Sequence, residues 1–169
     1  MVLVAAAVGL AGCTPGPAPK PTPTPLFTSE AEAFKAAEQV YRDYTDAGNA
    51  GRNGSSSADP QKYLAGSALD DDIKSRRELK DAGLKVTGNL VVRSFSGKDY
   101  DQESDSVSAV VCVGASDTRV TNENGADVTP ADRPSVSAVA VSFARAGKGA
   151  GLVIIKSEGS AEPCSPATP

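Results

Sequence analysis

Four valine-rich runs, "LKVTGNLVVRSF", "SVSAVVCVG", "SVSAVAVSF" and "LVIIKS", fill much of the second half of this 169-residue chain. Each has the length and the β-branched content of a strand, and turn-forming residues separate them. They require a sheet. In the second run Val107, Ala109, Val111 and Val113 share one face, and Ser106, Ser108, Val110 and Cys112 share the other. That is the alternation of a strand with one side turned to a core. Asn124 and Gly125 are a strong hairpin pair, and a shorter strand pair is expected around residues 118–120 and 126–128. The glycines of "GKGAG" lie between two runs and not ahead of a helix, so they read as a hairpin turn, not a phosphate cradle.

Ahead of Leu84 the period is helical. Ser29 and Glu32 make a capping-box pattern, and Phe34, Ala37, Val40, Tyr41 and Tyr44 recur at three- and four-residue steps, which lines one face of a helix expected to end near Gly48. Residues 49–58, "NAGRNGSSSA", form a loop by composition; the glycosylation pattern at Asn53, Gly54 and Ser55 is accidental. Asp59 offers an N-cap and Pro60 a first helical position for a short helix through Tyr63 and Leu64. A further helix is expected over residues 67–82, with Leu69, Ile73, Arg76 and Leu79 or Lys80 on one side and Gly83 as its stop. Helices followed by an antiparallel sheet make an α+β fold, the helices packed against the sheet.

Composition excludes several chemistries. The chain has no histidine, which removes the Ser/His and Cys/His nucleophile arrangements and the commonest metal ligand. With 17 Lys and Arg against 21 Asp and Glu, and no basic patch interleaved with aromatics, nucleic-acid binding has no electrostatic footing. Asp70, Asp71 and Asp72 point in three directions on a helix and suit the positive end of its dipole. The loop "GKDYDQESD" sets Asp99, Asp101, Glu103 and Asp105 in a superficially calcium-like series. It carries Ser104 and Val110 where a calcium loop needs glycine and glutamate, and so reads as a solvated hairpin loop. No metal, cofactor or catalytic residue is assigned.

Residues 1–12 carry no charge and are far shorter than the roughly 20 residues that span a bilayer, matching the apolar core of a signal peptide. Leu10, Ala11, Gly12 and Cys13 match the bacterial lipobox, so Cys13 is expected to carry the lipid (a diacylglycerol and an acyl chain such as palmitate). The protein would then be anchored on the extracytoplasmic face of the cell membrane. A signal peptide ordinarily opens with Lys or Arg, and none precedes Cys13, which points to a start upstream of Met1. Prolines at 15, 17, 19, 21, 23 and 25 favour polyproline II, in which twelve residues reach about 37 Å. Residues 13–26 are therefore the lipidated cysteine and a semi-rigid linker, and residues 27–169 a single domain. Lipidation of Cys13 leaves Cys112 and Cys164, which are expected to pair outside the membrane. A loop of about fifty residues closed in this way stabilises by roughly 4 kcal/mol.

Helices bearing "AEAFKAAEQVYRDY", a short helix with "YLAG", then "VVCVGASDTRV", "NENGADV" and a C-terminal cysteine resemble actinobacterial lipoproteins. The exported domain of these is a nuclear transport factor 2-like cone, of the SnoaL and ketosteroid-isomerase type, in which a curved antiparallel sheet wraps helices. In similar chains the cysteine strand continues with aspartate and the last strand begins with tryptophan, where this chain has Gly114 and Leu152. The resemblance implies a non-enzymatic binding or scaffold domain with an unidentified protein or small-molecule partner, and cones of this type often pair as homodimers through their sheets. Two alternatives go with it. One is a small isomerase or dehydratase using Tyr41, Tyr44 and Asp43 or Asp46, although Asp43 lies off the tyrosine face; the other is a phage lipoprotein that excludes competing phage.

Overall fold

The computed structural model describes residues 24–147 and 151–164; the lipobox with Cys13, the prolines up to Pro23 and the centre of "GKGAG" lie outside the described residues. Helix α1 spans Glu30–Arg52 and is followed by a 3₁₀ turn at Pro60–Tyr63 and helix α2 at Gly66–Asp81. Six strands follow: β1 Lys85–Thr87, β2 Val91–Asp101, β3 Ser106–Gly114, β4 Arg119–Thr121, β5 Val136–Arg145 and β6 Leu152–Gly159. β2, β3, β5 and β6 form an antiparallel sheet in that order, and β1 pairs with β4 in a two-stranded sheet beside it. The fold is α+β, with helices packed against an antiparallel sheet. Bulges in β2 at Val92/Ser94 and Gly97/Asp99, and between β5 and β6 at Ser142/Phe143, bend the strands and increase their twist.

Local chemistry explains where α1 begins. Ser29 Oγ accepts the Glu32 N–H at 3.2 Å, but the Glu32 carboxylate reaches one residue further back than a capping box requires. It accepts from Thr28 N at 3.0 Å and Thr28 Oγ1 at 2.8 Å. The far end overrides local propensity. Gly48 does not stop the helix, because residues one turn later are tied to the sheet side of the molecule: Asn49 Nδ2 donates to Leu90 O at 2.9 Å while Asn49 Oδ1 accepts from Leu90 N at 2.8 Å. Arg52 donates to Gly88 O and to Asn49 Oδ1. These long-range bonds satisfy the orphan groups of the strand entry and carry α1 to Arg52.

The helix lies against β2, β3 and β6. Ala33, Ala37 and Tyr41 meet Val107, Ala109, Val111, Val141, Phe143, Leu152 and Ile154 in the core. The close approach has a specific requirement at Gly97, where a Cβ would sit 2.3 Å from the Phe34 ring. The opposite face of β3 is buried as well. Cys112 on that face lies at disulfide-bonding distance from Cys164, with Cα atoms 5.6 Å apart. The pair brings the C-terminal segment across the sheet, where Glu162 meets Lys98 at 2.6 Å.

Several expectations are corrected. "LKVTGNLVVRSF" is two strands, since Gly88 turns with φ +84° and sits so close to the Asp117 carbonyl that no side chain fits. The expected pairing of the Thr118–Val120 segment with residues 126–128 is present as a short ladder shifted toward the turn, with Val128 N donating to Val120 O at 2.8 Å and Asn122 N to Ala126 O at 3.0 Å around the Thr121–Asp127 bridge. What the sequence did not show is that Arg119–Thr121 takes Lys85–Thr87 as its partner on the other side. The short helix at Pro60 is a 3₁₀ turn without a side-chain cap from Asp59. α2 starts on Gly66 because Ala65 N donates to Ile154 O at 2.8 Å and Ser67 Oγ to Ile155 O at 3.1 Å. It turns Ala68, Leu69, Asp72 and Leu79 inward and leaves Ile73 40% exposed. Asp105 is not solvated: it is 4% exposed.

Candidate functional site

The concave side of the sheet has two halves. Toward the β2–β3 hairpin it is filled by Phe27, Tyr100, Val107, Phe143 and Leu152. Toward the other end, beyond Val111, it opens into a cavity of about 290 Å³ between the C-terminal half of α1, the middle of α2 and the sheet. Tyr41, Pro60, Leu90, Val113 and Val139 supply apolar wall, and Tyr44, Arg52, Asp72, Arg76, Ser137 and Ser157 bring polar groups. A volume of this size lies near the lower bound for small-molecule sites.

Strand register explains why two serines face this space. Ser137 lies opposite Val113 and Ser157 opposite Val141, both inward-facing partners, so each serine occupies a position that alternation would give to an apolar residue. Ser157 reaches it through the bulge. Phe143 pairs with Ile154 and Ser142 with Lys156, which leaves Ile155 as the extra residue. In a regular strand Lys156 would follow Ile154 inward; the inserted residue turns Lys156 to the outer face and brings Ser157 in.

From the helices, Tyr41 and Tyr44 stack edge to face with ring centroids 6.0 Å apart. Burial, then the neighbouring Tyr44, pushes the Tyr41 phenol far above its usual range. The Tyr44 phenol is raised by burial first and by Asp72 second, with Arg76 and Arg52 opposing. Both therefore stay protonated at neutral pH, and each hydroxyl carries a hydrogen it can donate. Asp72, with a side chain 15% exposed, accepts from Arg76 Nε at 2.6 Å and Gln61 Nε2 at 2.9 Å, both on Oδ2. That hydrogen bond raises the pKa of Arg76, whereas burial lowers that of Arg52. The Arg52 guanidinium is held by neutral acceptors, Gly88 O and Asn49 Oδ1, and among the described residues it forms no ion pair with a carboxylate.

The structure thus brings Tyr41 and Tyr44 together at the cavity and leaves out both acids considered with them. Asp43 accepts from Gln39 at 2.8 Å on the helix surface, and Asp46 lines a separate shallow groove with Arg42, Asn49 and Asn89. Of Asp70, Asp71 and Asp72, the last turns inward and the other two are exposed. Sequence reasoning missed Arg52, which it placed in a loop, and Asp72, which it assigned with Asp70 and Asp71 to the positive end of the helix dipole; α2 begins at Gly66, so no acid lies in its first turn. A readable signal existed at Ser137, the serine that ends the inward apolar series of Phe143, Val141 and Val139 on β5. Among the described residues no cluster of three or more His, Cys, Asp or Glu side chains is arranged to hold a metal ion, and no helix is long and apolar enough to cross a membrane.

Against known proteins, the structure is similar to the crystal structure of the intermembrane space region of the chloroplast protein ARC6. The TM-score is 0.50 at 14% sequence identity, over 76% of this chain and 97% of that one. At that identity the likeness concerns the fold. No protein-family model matches the chain, and no curated protein matches it in sequence.

Proposed function

We propose that this chain is a lipid-anchored extracytoplasmic binding domain of the nuclear transport factor 2-like type, tethered through Cys13 and binding a small molecule in the cavity at the open end of its sheet. The carrying observation is the cavity itself: half of the concave face is solid core, and the other half is an open space lined by an apolar wall and by half-buried Tyr44, Arg52 and Asp72, with exposed Arg76, Ser137 and Ser157 at its rim. Half-buried Tyr44 and Arg52 bring a phenol and a guanidinium to the edge of this space, and among the described residues Arg52 forms no ion pair with a carboxylate.

Binding is favoured over the isomerase or dehydratase alternative by the state of the polar groups. Proton abstraction needs a base near neutrality, within reach of substrate. Both phenols are shifted away from that range, and the one carboxylate on the cavity wall is engaged by Arg76 and Gln61. What the site presents is two guanidiniums and two protonated phenols beside a carboxylate already paired with Arg76.

Two measurements test the reading. Cys13→Ser should move the protein from the membrane fraction to the soluble fraction, and retention in the membrane would remove the anchor from the proposal. A thermal-denaturation screen of small metabolites should give stabilising compounds whose effect is lost in Ser157→Phe, which fills the cavity from the exposed strand side. Stabilisation that survives Ser157→Phe would place binding elsewhere.

A further inference from the structure

Charge on the cavity wall runs against that of the chain. The sequence carries a formal net charge of −4, yet the charged residues lining this space are Arg52, Arg76 and Asp72, two guanidiniums against one carboxylate. Asp72 is bound to Arg76, so the excess positive charge resides at Arg52, which is half-buried and bonded to neutral oxygens. A guanidinium stays charged under all physiological conditions, and a partly desolvated one is stabilised by an anion placed beside it. Tyr44 lies within electrostatic reach of all three charged groups. Its phenolic hydrogen adds a neutral donor to the same corner.

Resting on the binding function proposed above, we infer that the ligand is a small monoanionic carboxylate with a compact apolar body, its head beside Arg52, Arg76 and Tyr44. One net positive charge matches one carboxylate. A phosphate dianion would leave an unmatched negative charge in a partly apolar space, which is costly. The rest of the wall, Tyr41, Pro60, Leu90, Val113 and Val139, suits an aromatic ring or branched aliphatic group, and a cavity of about 290 Å³ limits that group to a small one. Ser137 and Ser157 sit on the sheet side of the same space, available to a single polar substituent on the body.

The test is a titration of the full 169-residue chain, in detergent, with benzoate and isovalerate and with their uncharged counterparts benzamide and isovaleramide, followed by ligand-observed NMR. The acids should bind at least tenfold more tightly than the amides, as a charge-assisted contact in a semi-enclosed site provides, and the difference should shrink with added salt. Arg52→Gln should abolish the preference and Arg52→Lys should keep part of it. Arg52 also holds the Gly88 turn, so Arg76→Gln provides an independent check: it leaves Asp72 uncompensated and should also remove the preference for acids. Amides binding as tightly as acids, with both lost in Ser157→Phe, would overturn the carboxylate and leave the cavity as a binding site. Acid binding that persists in Ser157→Phe would overturn both. Absence of acid binding at millimolar concentration would overturn the inference alone if Ser157-sensitive stabilisation by other compounds is retained.

Discussion

Replacing Asp105 tests how the start of the domain is held, because this one side chain joins three segments. Asp105 Oδ1 accepts the Leu26 N–H at 2.6 Å and the Tyr100 hydroxyl at 3.3 Å, while Oδ2 accepts from Arg145 Nε at 2.9 Å. Arg145 continues outward to Thr24 O at 2.9 Å. Asp105 also has φ +50°, a left-handed conformation that Asp and Asn tolerate better than other side chains. Removing one partner of a buried pair costs about 3–5 kcal/mol, but Arg145 keeps 33% of its side chain exposed and would be partly rehydrated. We therefore expect Asp105→Ala to cost about 3 kcal/mol, the sum of a lost charge-assisted bond to Leu26, a weakened Arg145 and a left-handed alanine. Asp105→Asn keeps the Oδ1 acceptor and the backbone preference and should cost about half as much. At about 3 °C per kcal/mol for a domain of this size, the melting temperature should fall by about 9 °C for Ala and 4 °C for Asn. Acid dependence supplies the sign. Burial pushes the Asp105 carboxyl up, but the Leu26 N–H and Arg145 outweigh it and hold the pKa below the usual carboxylate value. The contribution is thus fully present above about pH 4 and is lost as pH falls through the depressed folded pKa, so Asp105→Asn should flatten the acid limb of the stability curve. Calorimetry from neutral pH down to pH 3 reads both effects. A melting temperature for Asp105→Ala within a degree of the parent would refute the account, and Asn as damaging as Ala would remove the Leu26 bond from it.

Other expectations follow from the fold. Cys112→Ser should lower stability by roughly 4 kcal/mol in urea denaturation, from the loop of 52 residues that the pair closes; a parent whose urea midpoint is unchanged by reductant would contradict this. Asn49→Ala removes two bonds to the Leu90 backbone and should cost about 2 kcal/mol, with faster hydrogen exchange at Leu90 and in the last turn of α1. Gly97→Ala forces a Cβ into the Phe34 ring and should cost about 1–3 kcal/mol by overpacking, which Phe34→Leu in the same chain should partly restore.

What the sequence disclosed and what it withheld divide along the range of the interactions involved. The 3.6-residue period of α1, the alternation of β3 and the turn at Asn124 and Gly125 arise within a few residues, and all three are in the structure. Asn122 O accepts from Gly125 N at 2.9 Å to close that turn. The helical state of residues 49–52 is set by bonds to Leu90 and Gly88, about forty positions away in sequence, and no local rule contains them. The buried state of Asp105 depends on Arg145, forty positions on; read alone, it belongs to an acidic loop. For the candidate site the obstacle was a bulge, because assigning Ser157 and not Lys156 to the inner face needs the register of β6 on β5.

The placement of Asp105 and of the cavity on one strand relates the tether to the site. β3 begins next to Asp105 and runs to Gly114, with Val113 on the cavity wall. Eight steps of strand separate the two ends by about 27 Å. The chain enters the domain through Thr24 and Leu26, both bonded at the Asp105 end, where the concave face is solid core. With Cys13 lipidated as proposed, the anchor therefore joins the filled end of the domain, and the open end lies at the far end of the sheet. A pull along the linker would load the Asp105–Arg145 pair and the Tyr100–Phe27 contact before it reached any residue of the cavity. The filled half of the sheet would then carry the load of the tether, and the cavity half, at the far end of β3, would be left geometrically undisturbed.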